Sequence, residues 1–233
     1  VVTLTGTFSD PCAQDSFMVA VDWGDGSPPD SFAYPAGATA FACTHLYLDD
    51  NPTGTPSDTC TISVTITDDD GGAGTGSVPA VVNDLPPAIT DVTVSQPMIL
   101  ENQSISISGA LTDVGTLDTY AILIDWGDGT QDVVNLDALV FAFGPVSHQY
   151  LDDSAADGYW ITLTVTDDDM LSDSVVRWVS VLNVNPTAAI AGAPVSVPEG
   201  TEISLTSSVT DPGTVDTFSY DWVVSKNGLP FAL

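Results

Sequence analysis

Basic residues are nearly missing from this chain: Lys and Arg together number 2 among 233 residues, against 32 Asp and Glu, for a formal charge of −30. With so few cations the chain cannot neutralise phosphates, which excludes a nucleic-acid binder and a polybasic binder of anionic membranes. Glutamate is scarce too: Glu101, Glu199 and Glu202 are the only three, so 29 of the acids are aspartates. A merely solvating surface has no reason to avoid Glu, and the preference for the shorter acid favours turns and ligand loops. Cysteine is limited to Cys12, Cys43 and Cys60, which permit at most one bridge among three pairs and leave the redox compartment open. No uncharged apolar run reaches the ~18 residues that a membrane-crossing helix needs. Apolar side chains are nevertheless plentiful, at 43% with a mean hydropathy of +0.22. The low-hydrophobicity signature of disorder is therefore absent and folded cores are expected.

The sequence repeats itself about every hundred residues. Asp22-Trp23-Gly24-Asp25-Gly26 recurs as Asp125-Trp126-Gly127-Asp128-Gly129, and His45-x-Tyr47-x-Asp49-Asp50 recurs as His148-x-Tyr150-x-Asp152-Asp153, both at an offset of 103. Asp68-Asp69-Asp70 recurs as Asp167-Asp168-Asp169 at an offset of 99, so the intervening loop has lost four residues. A third copy opens with Asp211, Asp216 and Phe218, matching Asp10, Asp15 and Phe17, but departs after Trp222, where Gly-Asp-Gly is replaced. That unit, as far as the sequence runs, is not expected to close a core.

Within each copy the pattern is β. Residues 61–66 and 161–165 alternate with period two and are rich in β-branched side chains, Gly, Pro, Asn and Asp punctuate the gaps, and no segment sustains a 3.6 period. Short strands at this spacing point to β-sandwiches. Short Pro-containing joints close the first two copies at Asn83-Asp84-Leu85-Pro86-Pro87 and Asn183-Val184-Asn185-Pro186, which predicts a stiff string. The expected units are residues 1–84, 85–185 and a truncated third at 186–233.

Trp-Gly-Asp-Gly, the downstream His-x-Tyr, the alternating strand ending in Thr-Asp and the final Val-x-Asn-x-x-Pro, twice in this order, resemble the PKD (polycystic kidney disease) domain family. The resemblance covers the first two copies and the opening of the third. It implies all-β, tandem Ig-like sandwiches from an extracellular or cell-surface protein. Such modules serve as non-catalytic spacers and adhesion units in large surface proteins, or as accessory modules of secreted hydrolases. The implied partners are other domains of the same chain and an extracellular glycan or protein.

Direct reading of the residues agrees that no enzyme is present. Gly-x-Ser-x-Gly, His-Glu-x-x-His and P-loop patterns are all missing. Each of the first two copies has one histidine and no second His or Cys at ligand spacing, which argues against zinc. Trp23 and Trp126 are expected in the cores, and His45 and His148 are expected to be hydrogen-bonded structural groups.

The aspartates are the candidate cation ligands. Under Ig strand order the B–C and F–G loops share a pole, gathering Asp10, Asp15, Asp68, Asp69 and Asp70 in copy one, and Asp113, Asp118, Asp167, Asp168 and Asp169 in copy two. Crowded carboxylates must be protonated, solvated or neutralised by a cation, and all-oxygen donors suit Ca²⁺. Some PKD-like modules of secreted collagenases bind calcium through acids in these two loops, and Asp10, Asp15 and Asp68, with Asp113, Asp118 and Asp167, resemble those positions. In a head-to-tail array Asp49, Asp50 and Asp84 are expected to approach Asp113, Asp118 and Asp167. The competing reading, that the acids are solvated charges, stays open at this point. A second candidate belongs to copy two alone. Trp160 and Trp178 have the parity opposite to their core-facing neighbours, so they are expected outside the sandwich and opposite each other, where they would bind a ligand or shield the sheet.

Overall fold

The structure is a computed structural model that describes residues 1–50 and 54–230, and all regular structure among them is β. The first sandwich comprises β1 (Val2–Thr7), β2 (Phe17–Asp22), β3 (Asp30–Tyr34), β4 (Ala40–His45), β5 (Ser57–Asp68) and β6 (Ala73–Asn83). β1 pairs with β4, and the facing sheet has the order β3-β2-β5-β6. The second comprises β7 (Ala88–Val94), β8 (Met98–Leu100), β9 (Gln103–Thr112), β10 (Tyr120–Asp125), β11 (Gln131–Leu136), β12 (Ala142–Tyr150), β13 (Gly158–Asp167) and β14 (Ser172–Leu182). Its sheets run β12-β9-β7 and β11-β10-β13-β14-β8. The first strand crosses between layers: β7 is antiparallel to β9, and β8 is parallel to β14. This order, with non-sequential neighbours in each sheet, is that of an Ig-like sandwich. The chain is all-β and built of tandem Ig-like sandwiches.

Alternation puts one face of each strand inside. In β13, Ile161, Leu163 and Val165 are fully buried, as are Val19 and Val21 of β2 and the Trp23 that follows them at the centre of the first sandwich. Each such burial contributes about 1.5–3 kcal/mol. The second core is larger because β7 and β8 add Val92 and Ile99 to it, whereas no described strand covers the outer edges of β1 and β6 in the first sandwich. Further on, β15 (Thr187–Ala191) pairs with β16 (Thr206–Thr210), and β17 (Ser225–Lys226) with β18 (Leu229–Pro230). Among the described residues after Leu182 no hydrophobic side chain is buried, and Trp222 is 52% exposed where Trp23 and Trp126 are 0%.

Candidate functional site: acidic joints between sandwiches

The repeated motif residues build a structural box. Trp126 is buried beside β13, and its indole N–H donates to Asp132 at 2.8 Å. His148 stacks on the Trp126 ring at 4.6 Å, and its Nε2 lies 2.7 Å from Asp128 Oδ2. The Tyr150 hydroxyl donates to the Trp126 carbonyl at 3.0 Å. Trp23, Asp30, His45, Asp25 and Tyr47 repeat the arrangement, with His45 Nε2 2.6 Å from Asp25 Oδ2. Gly127 is needed here: its φ is +81°, and a Cβ would lie 2.5 Å from the Trp160 carbonyl oxygen. Burial pushes the Asp25 and Asp128 carboxyls up, but the hydroxyl and N–H of Ser27 or Thr130, with the facing histidine, outweigh it and hold both below the usual range. These acids are fully engaged and hold the turn.

The acids of the first joint are arranged differently. The end of the first sandwich supplies Asp49, Asp50 and Asp84, and the loops of the second supply Asp113, Asp118, Asp167 and Asp169. Oxygens of Asp84, Asp118 and Asp169 all lie within 4.8 Å of one another. Backbone N–H groups orient most of these side chains by one oxygen only. Asp84 Oδ1 accepts from Leu85 N at 2.7 Å, Asp167 Oδ1 from Leu171 N at 2.7 Å, Asp49 Oδ1 from Asp50 N at 3.1 Å, and Asp169 Oδ1 from Gly54 N. The second oxygen of each is buried without a hydrogen bond, as are both oxygens of Asp50 and Asp118. Asp118 is 0% exposed and Asp50 and Asp169 are each 2%.

Burial pushes the Asp118 carboxyl up to about 8, assisted by the charges of Asp84, Asp49, Asp113 and Asp168. Burial likewise lifts Asp50 to about 6, with Asp169 and Asp49 adding to it. Asp84 is raised to about 6 by burial, against the Leu85 N–H, with Asp167, Asp169 and Asp113 as neighbours. A cavity of about 110 Å³ opens beside these acids between Leu48, Asp49, Asp50, Asp84 and Gly115. The two sandwiches also bond directly here, the Thr116 N–H donating to the Leu48 carbonyl at 3.1 Å.

Not every aspartate of the loops joins this group. Asp168 turns away to accept from Thr119 N at 2.9 Å. In the first sandwich Asp10, Asp15 and Asp68 converge within 4.8 Å, but Asp10 is exposed and none of the three has a buried oxygen lacking a partner. Asp69 and Asp70 are exposed outside that group, with Asp69 3.5 Å from the Ser16 hydroxyl. Trp160 and Trp178 are direct cross-strand partners, with ring centroids 4.9 Å apart and planes inclined at 60°. Trp160 is 62% exposed beside an open recess of about 700 Å³ that also touches Tyr159, Ser154 and Gly127.

A second joint went unmarked in the ligand pattern. Glu101, in the turn between β8 and β9, meets Asp152, which follows β12, and Asp216 from the loop after β16, with oxygens within 4.8 Å of one another. Burial raises the Glu101 carboxyl, opposed by the Val184 N–H, with Asp211, Asp216 and Asp152 adding to the rise. The signal for both joints is a difference between repeats. Asp113-Val-Gly115-Thr116-Leu-Asp118 and Asp211-Pro-Gly213-Thr214-Val-Asp216 share Gly and Thr, where copy one has Cys12 and Ala13. Thr214 N donates to the Leu151 carbonyl at 3.1 Å, as Thr116 N does to Leu48. A Cβ at Gly115 would sit 1.9 Å from Asp118 Oδ2, and one at Gly213 would sit 2.7 Å from Glu101 Oε2. These glycines make room for carboxylates.

The fold and the joints thus define a tandem array of Ig-like sandwiches with acid-lined contacts between units. No family model matches the chain, and no curated protein matches it. Among solved structures it is similar to a two-domain fibronectin type-III segment of chicken tenascin, at 11% identity and a TM-score of 0.39 over 76% of this chain and 91% of that one. It is also similar to a tetra-tandem repeat from the extending region of a large adhesion protein, at 13% identity and a TM-score of 0.48, covering 91% of this chain and 59% of that one. The assignment of the fold rests on the strand order and register given above. No helix among the described residues is long and apolar enough to cross a membrane.

Proposed function

We propose that this chain is a non-catalytic spacer and adhesion segment of a multidomain extracellular or surface protein. Its PKD-type units divide near Asp84 and Asn185, and calcium bound between carboxylates stiffens the first joint. The observation that carries the calcium reading is the set of buried carboxylate oxygens at that joint: backbone N–H groups fix one oxygen of most of these acids, and the other faces its fellows without a partner. Buried charges of one sign are costly unless paired or bound to a metal. An all-oxygen donor set with no His or Cys is the chemistry of Ca²⁺, which takes six to eight oxygens. Spanning Asp49, Asp50 and Asp84 on one side and Asp113, Asp118, Asp167 and Asp169 on the other, the ion crosslinks two sandwiches that are otherwise held by few direct bonds.

The test is a thermal melt with and without chelator. A site filled at a hundredfold excess over Kd contributes about 2.7 kcal/mol, which for a domain of this size moves Tm by about 10 °C. EGTA is expected to lower the melting temperature, with recovery on adding Ca²⁺ but not Na⁺; an unchanged melt rejects the calcium reading.

A second reading, a carbohydrate-binding accessory module of a secreted hydrolase, is favoured by Trp160 and Trp178, which present a paired, partly exposed aromatic surface. It predicts that Trp160→Ala with Trp178→Ala abolishes polysaccharide pull-down. A signal equal to that of the unaltered chain removes it.

A further inference from the structure

We propose that Glu101, Asp152, Asp211 and Asp216 form a second calcium site, which clamps the second sandwich to the unit that follows it. The inference rests on the calcium reading of the first joint for the identity of the ion, but its residues and its evidence are separate.

Three segments distant in the sequence converge here: the turn between β8 and β9, the stretch after β12 and the loop after β16. Glu101 is 2% exposed despite carrying a full carboxylate. Its Oε1 accepts from Val184 N at 2.7 Å, which aims Oε2 into the joint, where it is buried without a hydrogen bond. Asp211 follows the same rule: Oδ1 accepts from Gly213 N at 2.8 Å, and Oδ2 is buried and unpartnered. Asp152 is held by the Asp153 N–H at 3.1 Å. Glu101 Oε2 and Asp216 Oδ2 close over Gly213, lying 2.7 and 2.9 Å from where its Cβ would be. Four carboxylates, three of them oriented by backbone N–H groups and with no cationic side chain among them, demand a counterion, and the oxygen-only donors select a hard divalent ion of flexible coordination.

The joint is not a copy of the first. The chain there has Val184 and Asn185 in the short segment where the first joint has Asp84, so the linker supplies no carboxylate. Glu101 replaces it from the neighbouring turn, its longer side chain spanning the gap. Glutamate is used three times in the whole chain, and this one sits where a longer arm is required.

The experiment is calcium titration of the full chain by equilibrium dialysis and calorimetry, with CaCl₂ as the only added ligand. Glu101→Gln and Asp216→Asn are each expected to lose one bound ion, or to weaken one binding event at least tenfold, while the remaining events are retained. Asp118→Asn is expected to do the reverse, losing the first-joint event and retaining the one that depends on Glu101. Native stoichiometry and affinity in both Glu101→Gln and Asp216→Asn overturn the proposal while leaving the first joint standing. Loss in those two with none in Asp118→Asn removes the first-joint reading instead, and an unaltered chain that takes up no calcium removes both. Near-UV circular dichroism confirms that the second sandwich is folded in each variant. Should Glu101→Gln fail that control, Asp216→Asn decides, because Asp216 lies outside the second core.

Discussion

Asp128 and Asp118 are the same residue type ten positions apart, and the fold treats them in opposite ways. Asp128 has Thr130 and His148 as partners and is held below the ordinary carboxylate range. Asp118 has no hydrogen bond, is fully enclosed and is pushed up to about 8. The first acid is satisfied by the protein alone and the second is not. Composition cannot distinguish them, since both belong to the same excess of aspartate. What separates the two is whether donors from the protein reach both oxygens of the carboxyl.

The comparison is broken most directly by removing the charge from each acid in turn. Asp118→Asn in saturating calcium is expected to lose most of the ion's contribution, about 2.7 kcal/mol at a hundredfold excess over Kd. In EGTA at pH 8 the same substitution is expected to raise the melting temperature, because it deletes an uncompensated buried charge. Asp128→Asn is expected to cost about 1.5 kcal/mol for the lost charged hydrogen bonds, equally with calcium or without. Thermal melts of both variants in both media check this. A fall of equal size in all four cases would show that Asp118 is an ordinary structural acid.

The sandwiches were legible because burial imposes period two on strands such as β13, where Ile161, Leu163 and Val165 face the core and Trp160 faces out. The repeated Trp marked both centres for the same reason. The approach of Asp49 and Asp84 to Asp113 and Asp118 followed from head-to-tail stacking of poles, whereas Asp50 faces Asp169. Less legible was which aspartate in a run of three turns inward. On β13 and its loop Asp167 and Asp169 are buried while Asp168 bonds Thr119, a choice made by the local turn rather than by residue type. Glu101 was harder still. It reaches Asp216 across 115 positions, and only the crossing of β8 from one sheet to the other places its turn at the joint. The shared Gly-Thr within Asp113–Asp118 and Asp211–Asp216, absent between Asp10 and Asp15, was the available clue.

Solution pH sharpens the same contrast with a smaller effect. In an unfolded chain these carboxyls titrate near 3.9. Asp50 and Asp84 at about 6 and Asp118 at about 8 therefore bind protons in the folded state that the unfolded state has released. Where the folded state binds more protons, stability falls as pH rises, so in EGTA the melting temperature is expected to decline by a few degrees between pH 5 and pH 8. The decline is smaller than three independent shifts would give because the acids titrate as a coupled set, each protonation relieving its neighbours. Asp25 and Asp128 have the opposite sign: their contribution is complete above the ordinary carboxylate range and is lost as pH falls below about 4. On the proposed calcium reading the ion takes the place of the protons at the joint, so with calcium added the melt is expected to be flat from pH 5 to pH 8 and to keep only the acid-side loss. A decline of the same slope with and without calcium would mean that the buried carboxylates are not where the ion sits.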